Sequence, residues 1–273
     1  MSFTNRSFLY GDGFFETIHV YQNKLLFPQF HHQRMLRSFS LMEMNCPPEL
    51  RSYSDFIITL TGFISEIPKK ETQSLRVHFY RADGLGYTPV NDDAHYSFLV
   101  REIPNYLEEN KQEQICTAIC NLYPKPKGPL QALKSASAIL YVMAAKWASQ
   151  NAIDEALILN TDQEIVEANQ SNIILYDGDY FIFPPEDSGK VRGVMEQVCF
   201  QLLREEGYDC KFQAVREEDV FRSKELWFCN SLRNIRPVRF FKNSMGEKSF
   251  ENKMANKIRS KFLKRVQEGF YFE

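Results

Sequence analysis

Between residues 155 and 185 four short apolar runs, EALILN, EIVEA, SNIILYDG and YFIFPP, succeed one another with only a few turn-forming residues between them. Their spacing predicts consecutive antiparallel strands. A further strand, QICTAICNLY, is expected ahead of this block, and two more near KFQAV and ELWFCNS after it. A helix is signalled from Val194 to Glu206, closed by Gly207. The tail ENKMANKIRSKFLKRVQEG reads as an amphipathic basic helix.

The first hundred residues have a different rhythm. FETIHVY and KLLF flank Gln22-Asn23, which suits a hairpin turn. From His31 to Met44 the residues Met35, Phe39 and Met42 fall at helical spacing, and Pro47-Pro48 closes the segment. A second helix is expected from Ser52 to Glu66, followed by strands in SLRVHFYRADG and HYSFLVREIP. Two strands, two helices and two strands make an α+β domain. A polar connection, NYLEENKQEQ, places the boundary near residue 111, giving a smaller domain over 1–111 and a larger one over 112–273.

At 273 residues the chain can bury a large core, and 44% hydrophobic with 25% charged residues indicates neither disorder nor a fibrous class. The formal charge of −2 provides no global field for nucleic acid or an anionic membrane, so the expected partner is a small molecule. Lys253, Lys257, Arg259, Lys261, Lys264 and Arg265 lie close together in the tail. They are distributed around the helix, with Met254, Ile258, Phe262 and Val266 forming a buried stripe, so they read as a solvated face. The six cysteines lack metal-site spacing and read as buried free thiols; no metal is expected. With no membrane-length apolar run and no hydrophobic signal core in MSFTNRSFLYGDG, the expected location is the cytoplasm.

The stretch LKSASAILYVMAAKWA, residues 133 to 148, reads as an apolar helix with Lys134 at its start. Taken alone, such a lysine is an exposed side chain that snorkels. The small residues after it leave room for something flat, and burial lowers an amine's pKa until it becomes a usable nucleophile. Glu167, in EIVEANQSN, is either a solvated turn carboxylate or the partner of a protonated pyridine nitrogen. In SGKVRGVMEQV, Gly193 precedes a helix whose unpaired N–H groups suit a phosphate, although an ordinary loop-to-helix junction has the same appearance. Arg34, early in the helix after HHQ, offers a guanidinium for a phosphate or for nothing. An amine, a ring-nitrogen carboxylate, a helix N-terminus and an arginine together describe one cofactor, pyridoxal 5'-phosphate.

Through GDGFFETIHV, HHQRM, the Lys134 stretch, DEALILN, EIVEANQSN, SGKVRGV and CNSLRNIRPV, the chain resembles the fold-type IV pyridoxal-phosphate enzymes, the class IV aminotransferases. The resemblance implies a smaller α/β sandwich-like N-terminal domain and a larger domain with a β-barrel-like core. It implies that Lys134 bonds the cofactor, Glu167 pairs with its pyridine nitrogen, Arg34 binds its phosphate and the Gly193, Val194 and Met195 backbone cradles it. Asn230 and Ser231 complete that cup. Met195 stands where members often have Thr, and Val191 where a Leu commonly packs against the ring. Members are commonly homodimers.

Within the family, the Thr-Gly-Thr turn usual in branched-chain aminotransferases is replaced here by CNSLRNIRP. The Arg-x-His trap of D-amino-acid aminotransferases is missing, with Phe15 in GFFET and RADGLGYTP in the middle. RADGLGYTP and CNSLRNIRPV look most like 4-amino-4-deoxychorismate lyases, which make 4-aminobenzoate and pyruvate for folate synthesis. That resemblance implies a lyase in which Lys134 acts as base and then acid. Arg81, Tyr87 and Arg236 are candidates for meeting two substrate carboxylates. Thr17 is either an active-site hydroxyl or a strand residue chosen for β propensity. An aminotransferase acting on a branched-chain or D-amino acid is the alternative, and a cofactor-binding protein without turnover stands outside both.

Overall fold

A computed structural model describes residues 3–108, 114–243 and 246–270. The expected boundary near residue 111 lies outside them. Two compact units are present: one runs to Tyr106 and takes in Leu133–Ser137, and the other comprises Leu107–Ala132 and Ala138–Glu268.

The first unit is a four-stranded antiparallel sheet covered by helices on one face. After a short helix α1 (Arg6–Tyr10), β1 (Gly13–Tyr21) turns through Gln22 and Asn23, both at positive φ, into β2 (Lys24–Leu25). Positive φ at both turn positions matches the right-handed strand twist, which explains the hairpin there. Helix α2 (Pro28–Leu41) begins three residues before the expected His31, because Pro28 supplies a preset φ at the first helical position. It is followed by α3 (Pro48–Arg51) and α4 (Tyr53–Ser65). Ser52 caps α4: its Oγ accepts from Asp55 N at 3.1 Å, a contact of about 1 kcal/mol. Strands β3 (Thr72–Arg81) and β4 (Ala94–Glu102) complete the order β2-β1-β3-β4.

Alternation along the strands sorts the two faces. Phe14, Ile18, Leu75, Val77 and Phe79 pack with Met35, Phe39, Phe56 and Leu60 from the helices. Each fully buried aromatic contributes on the order of 2–3 kcal/mol. The opposite face carries Phe15, Thr17, Arg76 and His78, all only partly buried.

The second unit contains a curled nine-stranded sheet. It is built from β5 (Ile115–Lys125), β6 (Glu155–Asn160), β7 (Ile165–Ala168), β8 (Asn172–Tyr176), β9 (Tyr180–Phe183), β10 (Asp209–Phe212), β11 (Glu225–Asn230), β12 (Asn234–Asn243) and β13 (Gly246–Ser249). The order is β10-β9-β8-β11-β12-β5-β6-β7, with β13 paired to β12. The four runs that open the sequence argument therefore do not form one meander. β6 with β7 and β8 with β9 are antiparallel, but β7 and β8 are not neighbours, and β5 runs parallel to β6. The turn at 168–171 separates them: Ala168 N donates to Ser171 O at 2.7 Å, and Asn169 Oδ1 accepts from Ala156 N at 2.7 Å.

Helices α5 (Ile139–Gln150), α6 (Val194–Glu205), α7 (Glu217–Arg222) and α8 (Lys253–Gln267) pack on this sheet. In α8 Ile258, Phe262 and Val266 are buried and the tail's cations lie mostly at the surface, as the amphipathic pattern predicts. Helix α5 starts five residues after Lys134, not at it. Residues 134–136 are extended against β1, with Phe15 N donating to Lys134 O at 3.0 Å and Ala136 N to Gly13 O at 2.8 Å. Backbone pairing wins there over the weak helix preference of the two serines. All six cysteines are free, with Cys120, Cys199 and Cys229 buried and the others half-buried. Among the described residues no helix is long and apolar enough to cross a membrane.

Candidate active site

In the first unit the strand pairing just described fixes the backbone of Lys134 beside Phe15. Its side chain is half-buried, with Nζ 4.8 Å from the centre of the Phe15 ring. On the helix-covered face of the same strand, one residue on, Glu16 is almost wholly enclosed. Its carboxylate takes His31 Nδ1 at 2.6 Å and Arg34 Nε at 2.8 Å on one oxygen each, and Arg34 also reaches the second oxygen. Burial alone would raise the Glu16 pKa, yet the Arg34 guanidinium and the two donors bring it down to about 2. His31 is pushed below its ordinary value, chiefly by burial, with the Lys134 charge among the smaller causes.

In the second unit Glu167, on β7, is 3% exposed. Its Oε1 accepts from Lys125 Nζ at 2.6 Å and Tyr141 OH at 2.8 Å, and its Oε2 from Val191 N at 2.9 Å. The Tyr141 phenol is driven well above its usual value by burial and by the Glu167 charge. So Tyr141 stays a phenol and donates to the Glu167 carboxyl. Neither Lys125 nor Tyr141 stands out in the sequence; Lys125 sits in what reads as a basic, Pro-rich loop, and Tyr141 inside an apolar helix.

Val191 belongs to the turn that leads into α6. Its carbonyl accepts from Asn172 Nδ2 at 2.8 Å, and the preceding residue, Lys190, is buried in an ion pair with Glu196 in the first turn of the helix. The same turn is thereby tied to Glu167 at one end and to the helix N-terminus at the other. Gly193 is the N-cap of α6 and supplies no side-chain cap. A Cβ there would stand 1.8 Å from Asn172 Oδ1. Backbone donors in the first turn of such a helix suit an anion, and the dipole adds to the attraction. Met195 and Val194 are buried, contributing backbone donors and apolar side chains.

Asn230 ends β11 and Ser231 follows it. Asn230 Oδ1 accepts from Leu232 N at 3.1 Å and Arg233 N at 2.8 Å, closing a tight turn, while its Nδ2 reaches Ser171 Oγ at 3.2 Å. Arg236 is buried in an ion pair with Glu155. Arg81 is similarly committed: Nε to Asp12 Oδ2 at 3.1 Å, NH2 to Met42 O at 2.6 Å, and NH1 to Asp92. These bonds give both arginines structural work that a lone residue in a sequence does not reveal. Tyr87 is 89% exposed, its ring 5.6 Å from that of Tyr10. Thr17 lies mid-strand on the partly open face, opposite Arg76.

The amino-transferase class IV family model matches residues 13–241. The chain belongs to the class IV aminotransferases. It is 26% identical over 241 residues to an aminodeoxychorismate lyase of Vibrio harveyi, covering 86% of this chain and 84% of the relative. Among solved structures, a branched-chain aminotransferase of Thermoproteus uzoniensis aligns with TM-score 0.85 at 20% identity, over 98% of this chain and 90% of that one. A 4-amino-4-deoxychorismate lyase of Pseudomonas aeruginosa aligns with TM-score 0.81 at 20% identity, over 97% and 94%. These likenesses establish the two-part α+β fold of the family. The class IV cofactor is pyridoxal phosphate, and the residues of this chain fit it: an enclosed carboxyl group on Glu167 for the ring nitrogen, and a helix N-terminus without a side-chain cap, entered through a glycine, for the phosphate.

Proposed function

We propose that the protein is a lyase converting 4-amino-4-deoxychorismate to 4-aminobenzoate and pyruvate. The observation that carries this reading within the family is the turn after β11. Asn230 closes it on the N–H groups of Leu232 and Arg233, in the place where branched-chain aminotransferases usually carry a Thr-Gly-Thr turn for the substrate carboxylate. The similarity to the Vibrio harveyi lyase supports the same reading.

Lys134 would hold the cofactor covalently, and the Gly193, Val194 and Met195 backbone would hold its phosphate, with Asn230 and Ser231 at the rim; Arg34, proposed for the same phosphate, would have to share a guanidinium that is already bonded to Glu16. Glu167 would pair with the ring nitrogen, its carboxyl held in place by Lys125 and Tyr141. Val191 packs beside the ring. Bound pyridoxal phosphate supplies an electron sink conjugated to the substrate's nitrogen. Lys134 removes the proton from the ring carbon bearing that nitrogen. After the enolpyruvyl oxygen departs from its carbon, Lys134 returns a proton to the terminal methylene, leaving pyruvate and an aromatic amine. The free thiols suit a reducing cytoplasm.

The assay supplies aminodeoxychorismate in one vessel and a branched-chain or D-amino acid with 2-oxoglutarate in another. Pyruvate release with no amino acceptor is the expected result, and Lys134→Ala abolishes it. Amino transfer without pyruvate release would replace the lyase by an aminotransferase, a reading supported by 23% identity to a branched-chain-amino-acid aminotransferase of Pseudomonas aeruginosa. Neither activity in a cofactor-loaded protein would leave a binding protein.

A further inference from the structure

The open face of the first unit's sheet carries a group of cations. Arg76, on β3, places its guanidinium carbon 3.5 Å from the centre of the Phe15 ring, the same ring that has Lys134 Nζ at 4.8 Å. A cation over an aromatic face is attracted by the ring quadrupole, and a guanidinium held there keeps N–H donors for a second partner. Thr17 is its cross-strand partner on β1, and Leu99 on β4. Arg101, two residues farther along β4, adds a second positive charge to the face.

Several arginines of this unit are already committed. Arg6, Arg34 and Arg81 are each bound to a carboxylate. Arg76 and Arg101 have none among the described residues, and burial together with the Arg101 charge weakens the hold of Arg76 on its own proton. Partial removal of a guanidinium from water next to two other cations is costly unless an anion compensates. The fold keeps it there nonetheless.

We infer that Arg76 binds a carboxylate of the substrate, using the edge of a guanidinium fixed on the Phe15 ring that it shares with Lys134. The planar fork of arginine matches a carboxylate through two parallel hydrogen bonds. Phe15 thereby sets the spacing between the amine-bonding residue and the carboxylate-bonding one, and Thr17 beside Arg76 offers a hydroxyl to the same group. The inference rests on Lys134 being the cofactor lysine of an enzyme acting on amino carboxylic acids, whichever of the reactions above it performs.

The test uses the pyridoxal-phosphate holoenzyme and calorimetric titration with 4-aminobenzoate and with 3-methylbutanoate, two carboxylates of different shape, and with aniline as a carboxylate-free control. Arg76→Met is expected to weaken whichever carboxylate the unaltered protein binds by about 10- to 100-fold while leaving aniline unchanged. Arg76→Lys, which keeps the charge and protects the fold, is expected to lose several-fold through the missing second hydrogen bond, on the order of 3- to 10-fold. Unchanged carboxylate affinity in either variant, an equal loss for aniline, or no saturable carboxylate binding by the unaltered holoenzyme would overturn the inference. Failure of the lyase reading shows separately, as absence of pyruvate in a protein whose carboxylate affinity still depends on Arg76.

Discussion

His19 shows how much one buried side chain can couple stability to pH. It lies on β1, fully enclosed, and neither ring nitrogen has a hydrogen-bond partner among the described residues. Burial lowers its pKa from 6.5 to about 4. The unfolded chain therefore takes up a proton between these values that the folded one refuses, and stability falls as pH drops through that window. By linkage the loss is roughly 3 kcal/mol for a shift of this size. Glu16 acts lower down: its folded value of about 2 against 4.5 means that its stabilisation is complete above 4.5 and is lost as pH falls toward 2. Urea unfolding at a series of pH values should show stability declining below about pH 6.5, and His19→Leu should flatten the curve between 6.5 and 4 while leaving the steeper decline below 4.5. An unaltered slope in the variant would assign that window to other groups.

At the scale of elements, the start of α6 is the most constrained point in the second unit. Gly193 is needed for close approach and not for an unusual φ, since its backbone is extended at φ −74. The space for a Cβ is taken by Asn172 Oδ1, and Asn172 in turn holds the Val191 carbonyl. Gly193→Ala must therefore push the turn and Asn172 apart. The expected outcome is a loss of pyridoxal phosphate affinity of about tenfold or more with helix content by circular dichroism preserved, because the misplacement falls on the N–H groups proposed to hold the phosphate. Retained affinity would show that the turn relaxes without moving them. Elements of this kind were legible in unequal measure. The hairpin at Gln22-Asn23, the Ser52 cap and α6 follow from local signals, whereas α7 and the strands β12 and β13 carry no periodicity strong enough to announce them. Helix α5 misleads for the opposite reason: its apolar run extends back to Leu133, but β1 competes for residues 134–136 and wins.

For the whole molecule, helix α5 raises the matter of assembly. Ile139 and Val142 are 67% and 58% exposed, and Leu122 and Leu130 of the same unit are also mostly exposed. A helix apolar on nearly every side is normally covered. We propose that a second copy covers it, in an isologous dimer. Sedimentation equilibrium should give twice the chain mass, and Ile139→Glu with Val142→Glu should shift it toward one chain; a monomeric unaltered protein would reject the proposal. The residues proposed for pyridoxal chemistry, Lys134, Glu167, Arg34 and the Gly193 turn, can be named from the sequence because they fall in motifs whose order the chain shares with the family. What the tertiary structure alone decided is which charges are already spent. Arg81 and Arg236 look available as letters but are bound by Asp12, Asp92 and Glu155, while Lys125 and Tyr141 look incidental but hold Glu167. Those pairings bridge as many as 81 residues of separation. Local patterning cannot encode them, because a hydrogen bond depends on distance in space, and only the register of the sheets brings its partners within reach.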